Sequence, residues 1–306
     1  MKKLELVREE KLFRLIQGRS KKSRLEASGV ALVNESTALV VFDNLNQIAS
    51  VDVSLKRSRR NALWPAPSLG AGFEDVAADA RAGTIFALIE SVEDTDGVLR
   101  GFVAEYDRQR RLRQCTRLSG RFQSANKGFE GLAHRRHLGR EHLYALREDN
   151  SRSSGKRRGR IDVFTRSAVG PWKFSRSIDL PKDARFKDYS ALAIRKDRIA
   201  IVSQESARLW VARLHPRTHT VVPASGAVYR FPNKNYRNVE GIDWLTEDTL
   251  IAVSDRMKTG QPARCAKKDQ SIHLFRIPVK PGTTAPKTPG LQRRRRRAPE
   301  PPHTNG

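Results

Sequence analysis

The chain predicts an all-β fold, a β-propeller, from three observations. A motif with an acid or serine beside a small residue recurs five times, as "ASGVALV" (Ala27–Val33), "GFEDVAA" (Gly72–Ala78), "NKGFEGLAH" (Asn126–His134), "DYSALAI" (Asp188–Ile194) and "NVEGIDW" (Asn238–Trp244). Each copy opens a series of apolar runs four to seven residues long, rich in Val, Ile, Leu, Phe and Tyr, which favours strands over helices. Anchored on Gly29, Asp75, Gly131, Ala191 and Gly241, the copies lie 46, 56, 60 and 50 residues apart, near the length of a propeller blade with loop insertions.

Taken in chain order, the first element is the N-terminal run "LVREEKLFRLI", whose apolar positions do not settle a helical period. "LFRLIQGRSKKSRLEASGVAL" matches "CTRLSGRFQSANKGFEGLA" in placing a short strand, a polar loop and then the motif, so Leu12–Ile16 reads as a strand. Each unit then repeats one plan. The motif strand is followed by a turn ("NEST", "DARAG", "RRHLGRE", "RKD", "LTED") and a second run ending in a polar or acidic residue ("ALVVFDN", "IFALIES", "LYALRED", "IAIVSQE", "LIAVSDR"). A third run alternates clearly ("QIASVDV", "LRGFVAEYD", "RIDVF", "RLWVARL", "SIHLFRI"). A less regular fourth follows in "LRQCTRLSG", "WKFSRSIDL" and "AVYRFP". Four antiparallel strands per repeat is the propeller plan. The fifth unit stops at Ser271–Ile277, and the spare N-terminal strand is expected to pair with it, closing the ring and covering its unpaired edges. Five blades are favoured. Six are allowed, because the segments after Asn150 and around Thr218–Phe231 have room for extra strands. Residues 1–278 are read as a single propeller domain, and 279–306, rich in Pro, Thr, Gly and Arg, as a disordered basic tail.

The chain of 306 residues is long enough to bury a core without staples. Its net charge is +26, and only part of this is the tail, where Lys280, Lys287 and Arg293–Arg297 stand against Glu300; the remaining +20 lies in residues 1–277. Such a field attracts polyanions and phosphorylated small molecules, or it reflects a general solubility bias. No basic cluster interleaves with aromatics in a specific nucleic-acid motif. Cys115 and Cys265 have no metal spacing and read as two thiols, with a single disulfide left open. No stretch has the length of a membrane span, and the N-terminus lacks the apolar run of a secretory signal; a cytoplasmic monomer is the expectation, or an exported protein if a leader is missing. G-x-S-x-G, H-E-x-x-H and P-loop motifs are absent, which argues against the commonest hydrolase and nucleotide-binding classes.

The start of the first strand and the end of the second lie at the same end of a blade. One mouth of the central channel therefore collects Ser28, Glu74, Glu130, Ser190 and Glu240 from first strands, and Asp43, Glu90, Glu148, Glu205 and Asp255 from second strands. Crowded carboxylates raise one another's pKa, and a bound cation or surrounding Lys and Arg would relieve the repulsion; hard cations such as Ca²⁺ prefer oxygen ligands. Glu74, Glu130 and Glu240, with Asp43 and Asp255 beside them, are the candidate Ca²⁺ ligands. The alternative is structural: these positions bond neighbouring backbone and lock blade to blade, the adjacent glycine permitting close approach. Lys156, Arg157 and Arg158 in "SRSSGKRRGR" lie on the same side and are candidate anion-binding residues, or simply part of a mobile insertion. His134, His137 and His142, set among Arg135, Arg136 and Arg140, read as an exposed loop rather than a metal site. Trp64, Trp172, Trp210 and Trp244 read as blade packing.

"GFEGLA" (Gly128–Ala133) followed by "LYALRED" resembles the phytase-like esterase family, and "ASGVAL…LVVFDN" with "VEGIDW…LIAVSD" resembles the SdiA-regulated propeller family. The resemblance spans Ala27–Ile277 as a pattern and rests on short motifs, with Glu130 and Glu240 matching most closely. It implies a calcium-associated propeller and, from the first family, phosphoester or ester hydrolysis. Both families are usually exported, and the denser acidic motifs of true propeller phytases are missing. Two functions follow: a metal-dependent phosphoesterase or esterase acting on an anionic substrate, or a non-catalytic propeller binding a protein or polyanion.

Overall fold

The computed structural model describes residues 1–69, 72–124, 127–147, 159–167 and 170–278. The chain begins with β1 (Lys2–Lys3), β2 (Glu5–Lys11) and a single helical turn, α1 (Leu12–Leu15). Blade 1 is β3 (Ala27–Asn34), β4 (Thr37–Phe42), β5 (Leu45–Asp52) and β6 (Ala62–Pro65). Blade 2 is β7 (Asp75–Asp79), β8 (Thr84–Glu93), β9 (Leu99–Tyr106) and β10 (Leu112–Arg117). Blade 3 is β11 (Phe129–His137), β12 (Arg140–Arg147), β13 (Arg160–Arg166) and β14 (Lys173–Asp179). Blade 4 is β15 (Ala191–Arg195), β16 (Arg198–Ser203), β17 (Arg208–Arg213) and β18 (Ala227–Arg230). Blade 5 is β19 (Val239–Trp244), β20 (Thr249–Ser254), β21 (Ser271–Arg276) and, from the N-terminus, β2. The predicted five-bladed propeller is the observed fold. Thr218–Phe231 contributes β18 and turns rather than a sixth blade.

The ring closes as expected, but with a different segment. Glu5–Lys11 pairs antiparallel with β21, from Glu5 opposite Arg276 to Lys11 opposite Ser271. The expected strand at Leu12–Ile16 is instead a helical turn whose Leu12, Leu15 and Ile16 are buried between blades 5 and 1. An outermost strand has one wet edge and needs no apolar run, so the polar "ELVREEK" takes that place while the apolar residues fill the gap beside it. β1 adds a short parallel pairing on β18, so the N-terminus straps blade 4 as well as blade 5.

The buried side chains fall into five clusters, each between two neighbouring blades, with Trp64, Trp172, Trp210 and Trp244 among them. β3, β7, β11, β15 and β19 surround a central channel of about 160 Å³. Their approach is too close for side chains: a Cβ at Gly241 would lie 2.7 Å from Gly29 Cα. Inner strands are also stitched across blades. Asp75 accepts the Leu132 N–H at 2.6 Å and Asp243 the Leu32 N–H at 2.7 Å. The serines of the motif donate instead of accepting, Ser28 to the Phe73 carbonyl at 2.5 Å and Ser190 to that of Val239 at 3.2 Å. Both cysteines are free thiols.

Candidate functional site at the channel mouth

In β3, β11 and β19 the register slips at one residue, between Ala27 and Gly29, Phe129 and Gly131, and Val239 and Gly241. The repeated acid-or-serine followed by glycine is thus a β-bulge, which releases Ser28, Glu130 and Glu240 from the ladder and re-aims them. Glu74 sits just before β7, and Asp43 and Asp255 just after β4 and β20. Together they form the upper mouth.

These acids act on one another. Burial, then Glu90, Glu240 and Asp43, push the Glu74 carboxyl well above its usual range. Burial, then Glu240 and Glu26, raise Asp43 to about 6. Burial, then Glu240 and Asp43, raise Asp255 to about 8. Burial also raises Glu240, although Lys258 and a hydrogen bond with Gln204 oppose it. The central cation is Lys258, with Nζ 2.7 Å from Glu240 Oε1. Burial disfavours its charge, but Glu240, Asp255 and Glu130 outweigh that and hold it more firmly protonated than a free lysine.

Asp43 Oδ1, Gln204 Oε1 and Asn238 Oδ1 are buried at this mouth without a hydrogen-bond donor, while Glu240 Oε1 is met by the Lys258 ammonium. A donor set made wholly of oxygen, left partly unsatisfied, fits a hard cation. The acids are spread too widely for three of their oxygens to lie within 4.8 Å, so such an ion would keep several waters. Glu205 does not join them; it pairs with Lys187 at 3.0 Å on the exposed rim. Glu148, Lys156, Arg157 and Arg158 lie outside the described residues.

Among the described residues, the one compact group with metal-ligand atoms is at the opposite, lower mouth: Asp79, His134 and Glu141. The expected exposed histidine loop is corrected here. The hairpin turn is only Leu138–Gly139, both at positive φ, so His134 and His137 lie in β11 and His142 in β12. The His134 side chain is 3% exposed, stacked on Phe86, with Nε2 3.7 Å from Glu141. His142 packs on His219 at 4.4 Å between ring centres. Burial and neighbouring cationic groups lower both to about 4, so both are neutral. The lower carboxylates already have partners. Arg136 reaches Asp79 at 2.8 Å and Glu141 at 2.5 Å, while Arg166 bridges Glu141 and Glu105. Burial works against the charge of Asp79 and Glu141, but Arg136 for the one and His134 with Arg166 for the other hold them below their usual range.

Lys258, Gln204 and Asn238 are the mouth residues that the motif reading missed. Lys258 follows Asp255 by three residues in "SDRMKTG", and a lysine so close behind a rim acid is the signal that could have found it.

The architecture is shared with solved structures at low identity. Sucrose-6-phosphate hydrolase from Lactobacillus gasseri aligns over 84% of this chain and 59% of its own, with 11% identity and a TM-score of 0.50. The PQQ-bound aldose sugar dehydrogenase of Streptomyces coelicolor aligns over 89% of this chain and 97% of its own, with 12% identity and a TM-score of 0.49. A luciferin-regenerating enzyme aligns over 83% and 78%, with 13% identity and a TM-score of 0.43. At 11% identity the likeness to the first of these is one of fold alone. No family profile and no curated protein sequence matches the chain, so neither resembled family is supported. No helix among the described residues is long and apolar enough to cross a membrane.

Proposed function

We propose that the upper mouth binds a hard divalent cation, with Ca²⁺ the best chemical match, among Asp43, Glu74, Glu240 and Asp255, and that it hydrolyses a phosphoester or ester with anionic character. The carrying observation is the set of buried oxygens without donors beside carboxyls that burial and mutual repulsion keep partly protonated. A bound cation would polarise a phosphoryl or carbonyl oxygen and lower the pKa of a bound water. Lys258 supplies the fixed positive charge that an anionic group would meet at this mouth. The basic surface supplies long-range attraction for such a substrate.

The test is thermal unfolding during CaCl₂ titration at pH 7.5, with p-nitrophenyl phosphate and p-nitrophenyl acetate turnover followed in parallel. Native-state binding raises Tm with concentration. The wild type should shift, Glu240→Gln and Asp255→Asn should lose the shift while remaining folded, and turnover should depend on calcium. A second reading, the non-catalytic scaffold, is favoured by the Lys258–Glu240 contact, which gives the ring its own counterion. No shift at millimolar calcium together with no turnover would decide for it.

A further inference from the structure

A second surface, on the outer wall where blades 5 and 1 meet, has a different character. It is a groove of about 630 Å³ with six cationic side chains and a single acid. β2 and α1 supply Arg8 and Arg14, and the loop after α1 supplies Arg19 and Lys21. The β5–β6 loop supplies Lys56 and Arg57 from the facing side. The acid, Glu10, contacts Arg14 at 3.4 Å, a weak exposed pair. The other five cations have no ion pair with any described acid. Phe13, half-buried, lies among them with the Arg14 guanidinium 6.0 Å from its ring centre.

Both walls are held in shape. Leu15 and Leu55 are buried in the same apolar cluster beneath the groove. Leu55 adopts a left-handed conformation (φ 51), costly for a leucine, in a turn closed by its N–H on the Asp52 carbonyl. That turn presents Lys56 and Arg57 outward while their neighbour is anchored. The buried Asn61 side chain accepts the Asp52 N–H at 2.8 Å and donates to the Lys56 carbonyl at 3.0 Å. Its own carbonyl accepts the Gln17 N–H from the opposite wall at 3.3 Å. The backbone that carries the cations is therefore held in place on both walls.

We infer that this groove binds a single-stranded nucleic acid, the cations tracking the phosphodiester backbone and Phe13 offering a face for a base to stack on. A concave, two-walled basic surface with an aromatic at its floor suits a charged chain carrying planar rings, whereas a lipid headgroup layer is flat.

The experiment measures fluorescence anisotropy of labelled single-stranded RNA, and DNA of the same sequence, with the full chain across a salt series. Reversing Arg14, Lys56 and Arg57 to Glu together should weaken binding at least tenfold and make the log Kobs–log[salt] slope shallower by about 2, near 0.7 per lost contact on single strands. Phe13→Ala should weaken it at least fivefold with the slope unchanged. Circular dichroism and Tm should confirm that both variants remain folded. Equal reversal of Arg293, Arg295 and Arg297 in the tail should leave most of the affinity. Groove variants that bind like the wild type, loss of binding with the tail reversal instead, or displacement of the oligonucleotide by phosphatidylserine vesicles with Phe13→Ala silent would each overturn the assignment.

Discussion

The two mouths of the channel hold similar residue types in opposite electrostatic states. At the lower mouth Asp79, Glu105 and Glu141 lie under Arg136 and Arg166, and Trp172 Nε1 donates to Glu105 at 2.9 Å. At the upper mouth Asp43, Glu74, Glu240 and Asp255 share Lys258 and leave oxygens without donors. Burial opposes charge at both, but arginine partners overcome it below and acid neighbours reinforce it above. The lower carboxylates are all paired with arginines and join blades 2 and 3, although His134 Nε2 among them has no hydrogen-bond partner. At the upper mouth the atoms without partners are oxygens, which a cation can meet, and that is why function is proposed there although the lower group is the tighter cluster.

The largest expected effect breaks this contrast at its satisfied end. The Arg166 side chain is 8% exposed, bridges two buried carboxylates and stacks 4.2 Å from the Trp172 ring centre. Arg166→Met should destabilise by about 3–5 kcal/mol, the cost of leaving buried charges without a partner. Glu74→Gln at the upper mouth, which removes a carboxyl already disfavoured as an anion, should be neutral or stabilising without cation. Urea unfolding of both variants in EDTA measures the pair. Equal losses would erase the distinction between the mouths.

What the sequence made legible divides along the same line. The five-fold motif and the short apolar runs carried the inner strands, which bury both faces against neighbouring blades, and period-2 alternation carried the third strands. The bulge residues Ser28, Glu130 and Glu240 were visible as a repeat. Pairing across blades was not: Arg136 and Arg166 meet Asp79 and Glu105 through contacts spanning about sixty positions, with no local pattern. The histidines were misread because "RRHLGRE" looks like one long polar turn, whereas its φ-positive centre is two residues and the rest is strand. The closing strand was misplaced by following apolar residues, when an outer edge is where polar ones are tolerated.

A smaller effect sharpens the comparison through pH. Asp43 and Asp255 are raised to about 6 and about 8, above the unfolded carboxyl value near 3.9, so the native state holds their protons where the unfolded state has released them. Their contribution is fully present below the unfolded value and is lost as pH rises through the folded ones. His142 and His219, lowered to about 4, act in the opposite sense, but their contribution is complete above roughly 6.5. Between pH 6.5 and 8 without cation, stability should therefore fall, Asp255 alone contributing a slope of at most roughly 1.4 kcal/mol per pH unit, with Glu74, Asp75 and Glu240, also raised by burial, acting in the same sense. Asp255→Asn should flatten the slope, as should saturating calcium. A slope unchanged in Asp255→Asn would place the protons elsewhere.

The smallest effect tests whether the motif's two roles separate. Ser28 occupies in blade 1 the bulge that Glu240 occupies in blade 5, yet its hydroxyl is spent on the Phe73 carbonyl of the next blade. Ser28→Ala should cost about 1 kcal/mol, a typical buried hydrogen bond, and leave any calcium-dependent rise in Tm intact. Glu240→Gln should do the reverse, changing stability little while removing the calcium response. If Ser28→Ala abolished that response as completely as Glu240→Gln, the bulges would have to act as one ring, and a division of the repeated position between locking blades and binding ions would not hold.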